Sequence, residues 1–138
     1  MRSLFLLSCL LPVLAIAAAT PLELVTAEGS ESIPQRMVSL AAKQDVAASD
    51  PRVVRASSQM AKAMKATGET EQAVAAACTR AARFIFDSTK SLATSVEVLD
   101  ALAEKGAGKP MSETIGRYVE ARRNAAGMTH AEAMAVLK

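Results

Sequence analysis

Tryptophan is absent, tyrosine occurs once as Tyr118, and three phenylalanines complete the aromatic set of this 138-residue chain. A core cannot be built around large rings here, so it must be assembled from Ala, Val, Leu, Ile and Met. Histidine also occurs once, as His130, and cysteine twice, as Cys9 and Cys78. Structural zinc takes four Cys or His ligands and catalytic zinc three protein ligands; with Cys9 lost in the cleaved leader expected below, one Cys and one His do not meet either count within one chain. Neither charge is in clear excess, with 16 Lys and Arg against 14 Asp and Glu. Nucleic-acid binding depends on surplus Lys and Arg to neutralise phosphates, so no nucleic-acid partner is expected.

The familiar catalytic signatures are missing as well. There is no Gly-rich phosphate cradle, no nucleophile elbow and no Cys-x-x-Cys pair; Gly106 and Gly108 precede Lys109, but at the wrong spacing for a P-loop. An active site would have to be assembled from Ser, Thr, Asp, Glu, Lys and Tyr118. No catalytic activity, metal or cofactor is therefore expected.

What is present begins with Arg2, an apolar run over 4–16, and Ala17, Ala18 and Ala19 ahead of Thr20 and Pro21. Basic start, apolar middle and small-residue end are the parts of a secretory signal peptide. A membrane-spanning helix needs about 20 apolar residues, and this run is shorter and contains Pro12. Residues 1–19 are expected to be a cleaved signal peptide, with the product exported to the periplasm or the extracellular space. Cleavage takes Arg2 and Cys9 away, leaving 15 basic against 14 acidic residues and Cys78 without an intramolecular partner. An unpaired thiol in an oxidising compartment is either buried apolar filler or one half of an intermolecular disulfide. Residues 20–31, with Pro21, Gly29 and Ser30, read as a flexible tether, and 32–138 as one helical domain.

The domain reads as an all-α bundle of four to five helices with one long central helix. Cys78, Ile85, Leu92 and Leu99 recur every seventh residue, and Val74, Ala81 and Leu102 fall on the complementary spacing. This is a coiled-coil-like seam that needs covering by neighbouring helices. It predicts one helix over 68–106. Against it, Ser, Thr and Val crowd between Asp87 and Val98, and Thr94 with Glu97 forms a capping box, so a break near Ser91 is the alternative. Ser32 with Gln35 begins an earlier helix, Asp50-Pro51 starts another that closes at Gly68, the run from Gly106 to Pro110 makes a loop, and Thr129 with Glu132 opens a short last helix.

The expected mode of action is protein–protein association, as an adaptor, inhibitor or effector, or self-association. Phe86 falls off the seam, and Arg80 and Arg83 would give it a charged rim; with Met60 and Met64 these are the candidate partner-binding residues. The competing reading is a membrane-surface protein using residues 51–66, where Arg52, Arg55, Lys62 and Lys65 accompany Val53, Met60 and Met64 with no acidic residue. Glu97, Asp100 and Glu104 share one helix face at spacings of three and four. They read as a solvated row that could absorb those cations. His130, at a helix start, reads as a lone solvated residue.

Overall fold

The computed structural model describes residues 30–124 and 129–138. The expected signal peptide and most of the expected tether lie outside the described residues. Six helices and no strand are found among them: α1 (Ile33–Ala42), α2 (Pro51–Thr67), α3 (Glu71–Thr89), α4 (Ser95–Lys105), α5 (Met111–Asn124) and α6 (His130–Val136).

The expected long central helix is two helices. The heptad pattern asks for continuity, but side-chain hydroxyls near residue 90 compete for the helical backbone. Ser88 Oγ donates to the Phe84 carbonyl at 2.7 Å and Thr89 Oγ1 to that of Ile85 at 2.7 Å. Lys90 then turns left-handed, at φ 60°, and closes α3. Four residues later Thr94 and Glu97 make the reciprocal capping box that starts α4. The seam is buried on both sides of this break, at Val74, Cys78, Ala81 and Ile85 and again at Leu99 and Leu102. Leu92, in the break itself, is 73% exposed.

The other boundaries follow local chemistry. Asp50 accepts from the Arg52 N–H at 2.8 Å with Pro51 in the first turn, and Gly68 closes α2 at φ 72°, a conformation glycine reaches without a Cβ penalty. At α1 the Ser32 hydroxyl accepts from Gln35 N–H, but the Gln35 side chain does not complete the box; it donates to the Val46 carbonyl at 2.9 Å and ties down the α1–α2 connection. That connection begins at Lys43, earlier than the Ser49–Pro51 stop predicted. Ser39 Oγ accepts from Val46 N–H at 3.1 Å and helps hold the turn.

Eleven-residue α4, rather than a long helix, is the centre. It packs against α1, α2, α3 and α5, while α5 also packs against α3 and α6. Its residues Val98, Leu99, Ala101 and Leu102 are all fully buried, and burying a Val or Leu side chain stabilises by about 1.5–3 kcal/mol. Around them lie Met37, Met60, Ile85 and Tyr118, with buried alanines such as Ala63, Ala75 and Ala82 in the same cluster. A second, smaller cluster of Val38, Val46, Val53 and Ala56 seals α1 onto α2.

Candidate functional site

The polar interior is organised by α4, α5 and α6 together. Thr129 caps α6 through a box with Glu132, which places His130 at its first position facing α4 and α5. His130 Nε2 lies 2.9 Å from Asp100 Oδ2, and Nδ1 lies 2.8 Å from the Tyr118 hydroxyl. One turn along α5, Arg122 Nη1 donates to the same hydroxyl at 3.2 Å. The proton directions follow from what each group can do. Arg122 can only donate, so the Tyr118 oxygen accepts from it; with the hydroxyl hydrogen placed on His130 Nδ1, Nε2–H donates to the Asp100 carboxylate, a tautomer assigned from the network.

Arg122 is the second anchor. Its side chain is 2% exposed, and a buried charge must be paired and hydrogen-bonded to be tolerated. Nη2 donates to the Leu92 carbonyl at 2.7 Å and to Ser91 Oγ at 3.4 Å, and Nη1 lies 3.5 Å from Glu97 Oε2. One guanidinium thus holds the α3–α4 break to α5. Burial pushes the Tyr118 hydroxyl up to about 12, although the Arg122 charge and hydrogen bond pull the other way. Both imidazole nitrogens are used internally, Ser91 is engaged by Arg122, and the buried Cys78 thiol is pushed up to about 12 by desolvation. Together these groups form a polar lock between α4, α5 and α6. Among the described residues no three His, Cys, Asp or Glu side chains gather where they could hold a metal ion.

His130 is thus not the lone solvated residue expected, because a single imidazole is the group that can link a tyrosine and a carboxylate at once. The acidic row on α4 is likewise not simply solvated. Asp100 accepts from His130, from Gln59 Nε2 and from Arg55 Nη2 at 3.4 Å, and Glu104 meets Lys62 at 3.2 Å. The expected docking of the basic helix on this row is what the structure contains.

No family model matches the chain, and no curated protein or solved structure matches it.

The candidate partner-binding residues separate into two groups. Met60 is buried in the core, where Val53, Ala56 and Ala63 share its face of α2, and Met64 is half-buried against the same core; the domain's own helices cover both. Arg80, Arg83 and Phe86 are exposed along the outer side of α3. Phe84, which sequence reasoning left aside, is 51% exposed, and Phe86 is 41% exposed. Lys90 Nζ sits 5.6 Å from the centre of the Phe86 ring, and the Arg123 guanidinium 5.5 Å from that of Phe84. Each ring therefore carries a cation on its face. Cys78 is fully buried on α3, so a disulfide to another molecule would require the helix to open first.

On the basic helix α2, Val53 and Met60 are buried in the core while Val54 is 60% exposed. Arg52 pairs with Asp50 at 2.9 Å, and Arg55 and Lys62 reach α4 with side chains that stay largely exposed. A surface-bound amphipathic helix must offer its apolar face to lipid, and most of this one faces the core.

Proposed function

We propose that this is an exported small helical protein that acts by associating with another protein through the C-terminal part of α3, with no catalysis of its own. The observation that carries the reading is the placement of the rings. Of the three aromatic side chains among the described residues, Tyr118 is buried and Phe84 and Phe86 are both outside. A domain short of large apolar groups gains most from burying them, at about 1.5–3 kcal/mol each, so leaving two phenylalanines in water reserves that energy for a partner. Leu92, just beyond the helix, extends the exposed apolar surface. At about 100° per residue Phe84 and Phe86 flank the outer side of α3, with Arg80, Arg83 and Asp87 between them; Arg83 pairs with Asp87 at 3.7 Å, and Lys90 and Arg123 lie on the rings. The partner surface that fits carries an acidic strip with apolar groups on either side of it.

The test is a pull-down from an envelope extract with the chain lacking residues 1–19, alongside a Phe84→Ser/Phe86→Ser variant and an Arg80→Gln/Arg83→Gln variant. A protein retained by the parent chain and lost from both variants, with unchanged circular dichroism, supports the reading. Equal retention by all three refutes the placement on α3. Intact-mass analysis of the processed chain tests export separately, since cleavage after Ala19 leaves Thr20 at the new amino terminus.

A further inference from the structure

The outer side of α3 carries charge that the domain does not answer. Arg83 pairs with Asp87 at 3.7 Å, and Lys90 Nζ donates to the Asp87 carbonyl at 3.2 Å. Among the described residues no carboxylate pairs with Arg80, Lys90 or Arg123. Phe84, Phe86 and Leu92 are exposed beside them. A second copy docked through the same face would set like charges against each other, so the surface calls for an acidic occupant.

The chain itself holds a matching piece. Residues 20–29, between the expected cleavage point and the first described residue, contain Glu23 and Glu28 and no basic residue, together with Leu22, Leu24 and Val25. From residue 30 onward there are 15 basic against 12 acidic residues, so this segment offsets two of the three excess positive charges. Leu22-Glu23-Leu24 sets an acid between two leucines, as the α3 face sets its charged strip between two rings. The seven residues 26–32 that join Val25 to α1 reach about 23 Å when extended, against about 28 Å for the whole of α3. Because α1 packs on α3, the segment departs from beside the helix it would cover.

We propose that residues 20–29 dock on the C-terminal part of α3 of their own chain, and that an outside partner binds there by displacing them. The inference rests on the α3 reading, whose surface it regulates. Leu22, Leu24 and Val25 cover Phe84, Phe86 and Leu92, and Glu23 and Glu28 answer Arg80, Lys90 and Arg123. A short tether holds its ligand at an effective concentration of about 1 mM. A contact with a Kd of about 1 mM as a free peptide is then half occupied within the chain. Such a cover keeps the rings from water between partners and rejects any partner that binds more weakly than the segment.

The experiment compares heteronuclear NMR amide spectra of the chain lacking residues 1–19, with no partner present, against its Leu22→Ser/Leu24→Ser and Glu23→Gln/Glu28→Gln variants. Every described helix lies beyond these positions, so the fold is left intact. Both variants should shift amides from Arg80 to Leu92 and around Arg123 and leave those of α2 in place. A synthetic peptide of residues 20–31, added to the Leu22→Ser/Leu24→Ser chain, should restore the parent positions with a Kd of about 1 mM or tighter. Arg80→Gln/Arg123→Gln, two exposed changes placed in that same chain, should weaken the peptide about tenfold. α3 amides that do not respond to either variant overturn the proposal, as does a peptide that leaves α3 unmoved or binds the Arg80→Gln/Arg123→Gln chain equally well. Parent spectra that change with protein concentration between about 0.05 and 1 mM overturn docking within one chain and assign the segment to a second copy. These spectra and the pull-down fail separately. A partner lost with Phe84→Ser/Phe86→Ser while residues 20–29 leave α3 untouched removes the cover alone, and a covered α3 that retains no partner removes the association alone.

Discussion

Replacing Tyr118 with phenylalanine removes a single oxygen from the centre of the polar lock and keeps the ring. The hydroxyl accepts from Arg122 at 3.2 Å and donates to His130 at 2.8 Å. In the variant, Arg122 Nη1 keeps only the 3.5 Å approach to Glu97, and His130 Nδ1 loses its donor. A hydrogen bond involving a charged group contributes about 1.5–3 kcal/mol, and a neutral one about 0.5–1.5. The imidazole is partly exposed, at 23% of its side chain, so water can replace part of what Nδ1 loses. Arg122 is sealed and has no such relief. The expected loss is about 2 kcal/mol, which for a domain of this size lowers Tm by roughly 10 °C.

Urea unfolding followed by far-ultraviolet circular dichroism measures this directly, because the midpoint should fall while the slope stays constant. A His130→Ala/Tyr118→Phe cycle adds the decisive term. If the two groups act as one chain, their effects should fall short of additive by about 1 kcal/mol. A loss under about 0.5 kcal/mol for Tyr118→Phe, or additivity in the cycle, would show that the lock contributes little and that α6 is held by Ala133 and Leu137 alone.

Three further outcomes follow from the same structure. Leu99→Ala should cost about 2–5 kcal/mol and Leu92→Ala almost nothing, although both occupy the same heptad position; paired urea melts compare them. Stability should fall as pH rises from about 9 to 12, because Cys78 and Tyr118 keep their protons longer in the folded state than in the unfolded one. For Cys78 the contribution at stake is roughly 4 kcal/mol, so Cys78→Ala should flatten the lower part of an alkaline denaturation curve. At the acid end, the Arg52 guanidinium and N–H hold the Asp50 carboxyl down at about 2. That stability is present above the usual carboxylate range and is lost as pH falls towards 2, so Asp50→Ala should weaken the acid dependence and, through the lost cap, destabilise α2.

The helix ends were legible because they are written in short-range chemistry. Asp50-Pro51, Gly68, the loop from Gly106 to Pro110 and the Thr129–Glu132 box each satisfy orphaned backbone groups with residues a few positions away. The same kind of signal, Thr94 with Glu97, marked the break in the middle of the chain and outweighed a seven-residue repeat that needed the five residues 90–94 to stay helical. At Gly106 a side chain would collide with the Leu102 carbonyl, 2.5 Å from where its Cβ would stand. The pairing of Arg55 and Lys62 with Asp100 and Glu104 was legible too, since opposite charges on two helix faces of matching spacing predict contact.

The polar lock was not legible, and its parts show why. Tyr118 and Arg122 are four apart on α5 and could have been read as helical neighbours, yet nothing local says that Arg122 turns inward. Its burial is decided by the break 30 residues earlier, whose Leu92 carbonyl has no helical partner and needs a donor. His130 is likewise placed by a cap on its own helix and then recruited by Asp100, 30 residues away. Each interaction joins elements distant in sequence, so residue type alone gave no sign of Arg122 and left His130 looking like a lone solvated residue.

The break between α3 and α4 links these points into one argument about function. Had the helix continued, Leu92 would have been buried on the seam with Ile85 and Leu99, and Arg122 would have had no carbonyl to meet. The interruption puts Leu92 in water two residues past Lys90, and Arg122 braces that exposed turn from within. Buried polar networks fix one arrangement because the alternatives leave charges unpaired. The guanidinium that looks like a stabilising detail of the core is thus also what presents the apolar end of α3 in a fixed shape. Arg122→Leu tests this: it strips the Leu92 carbonyl of its donor, so the domain should lose stability and the 90–94 turn should gain faster amide hydrogen exchange than the helices on either side of it. Exchange at the turn unchanged from the parent chain would mean that the capping box at Thr94 holds it unaided.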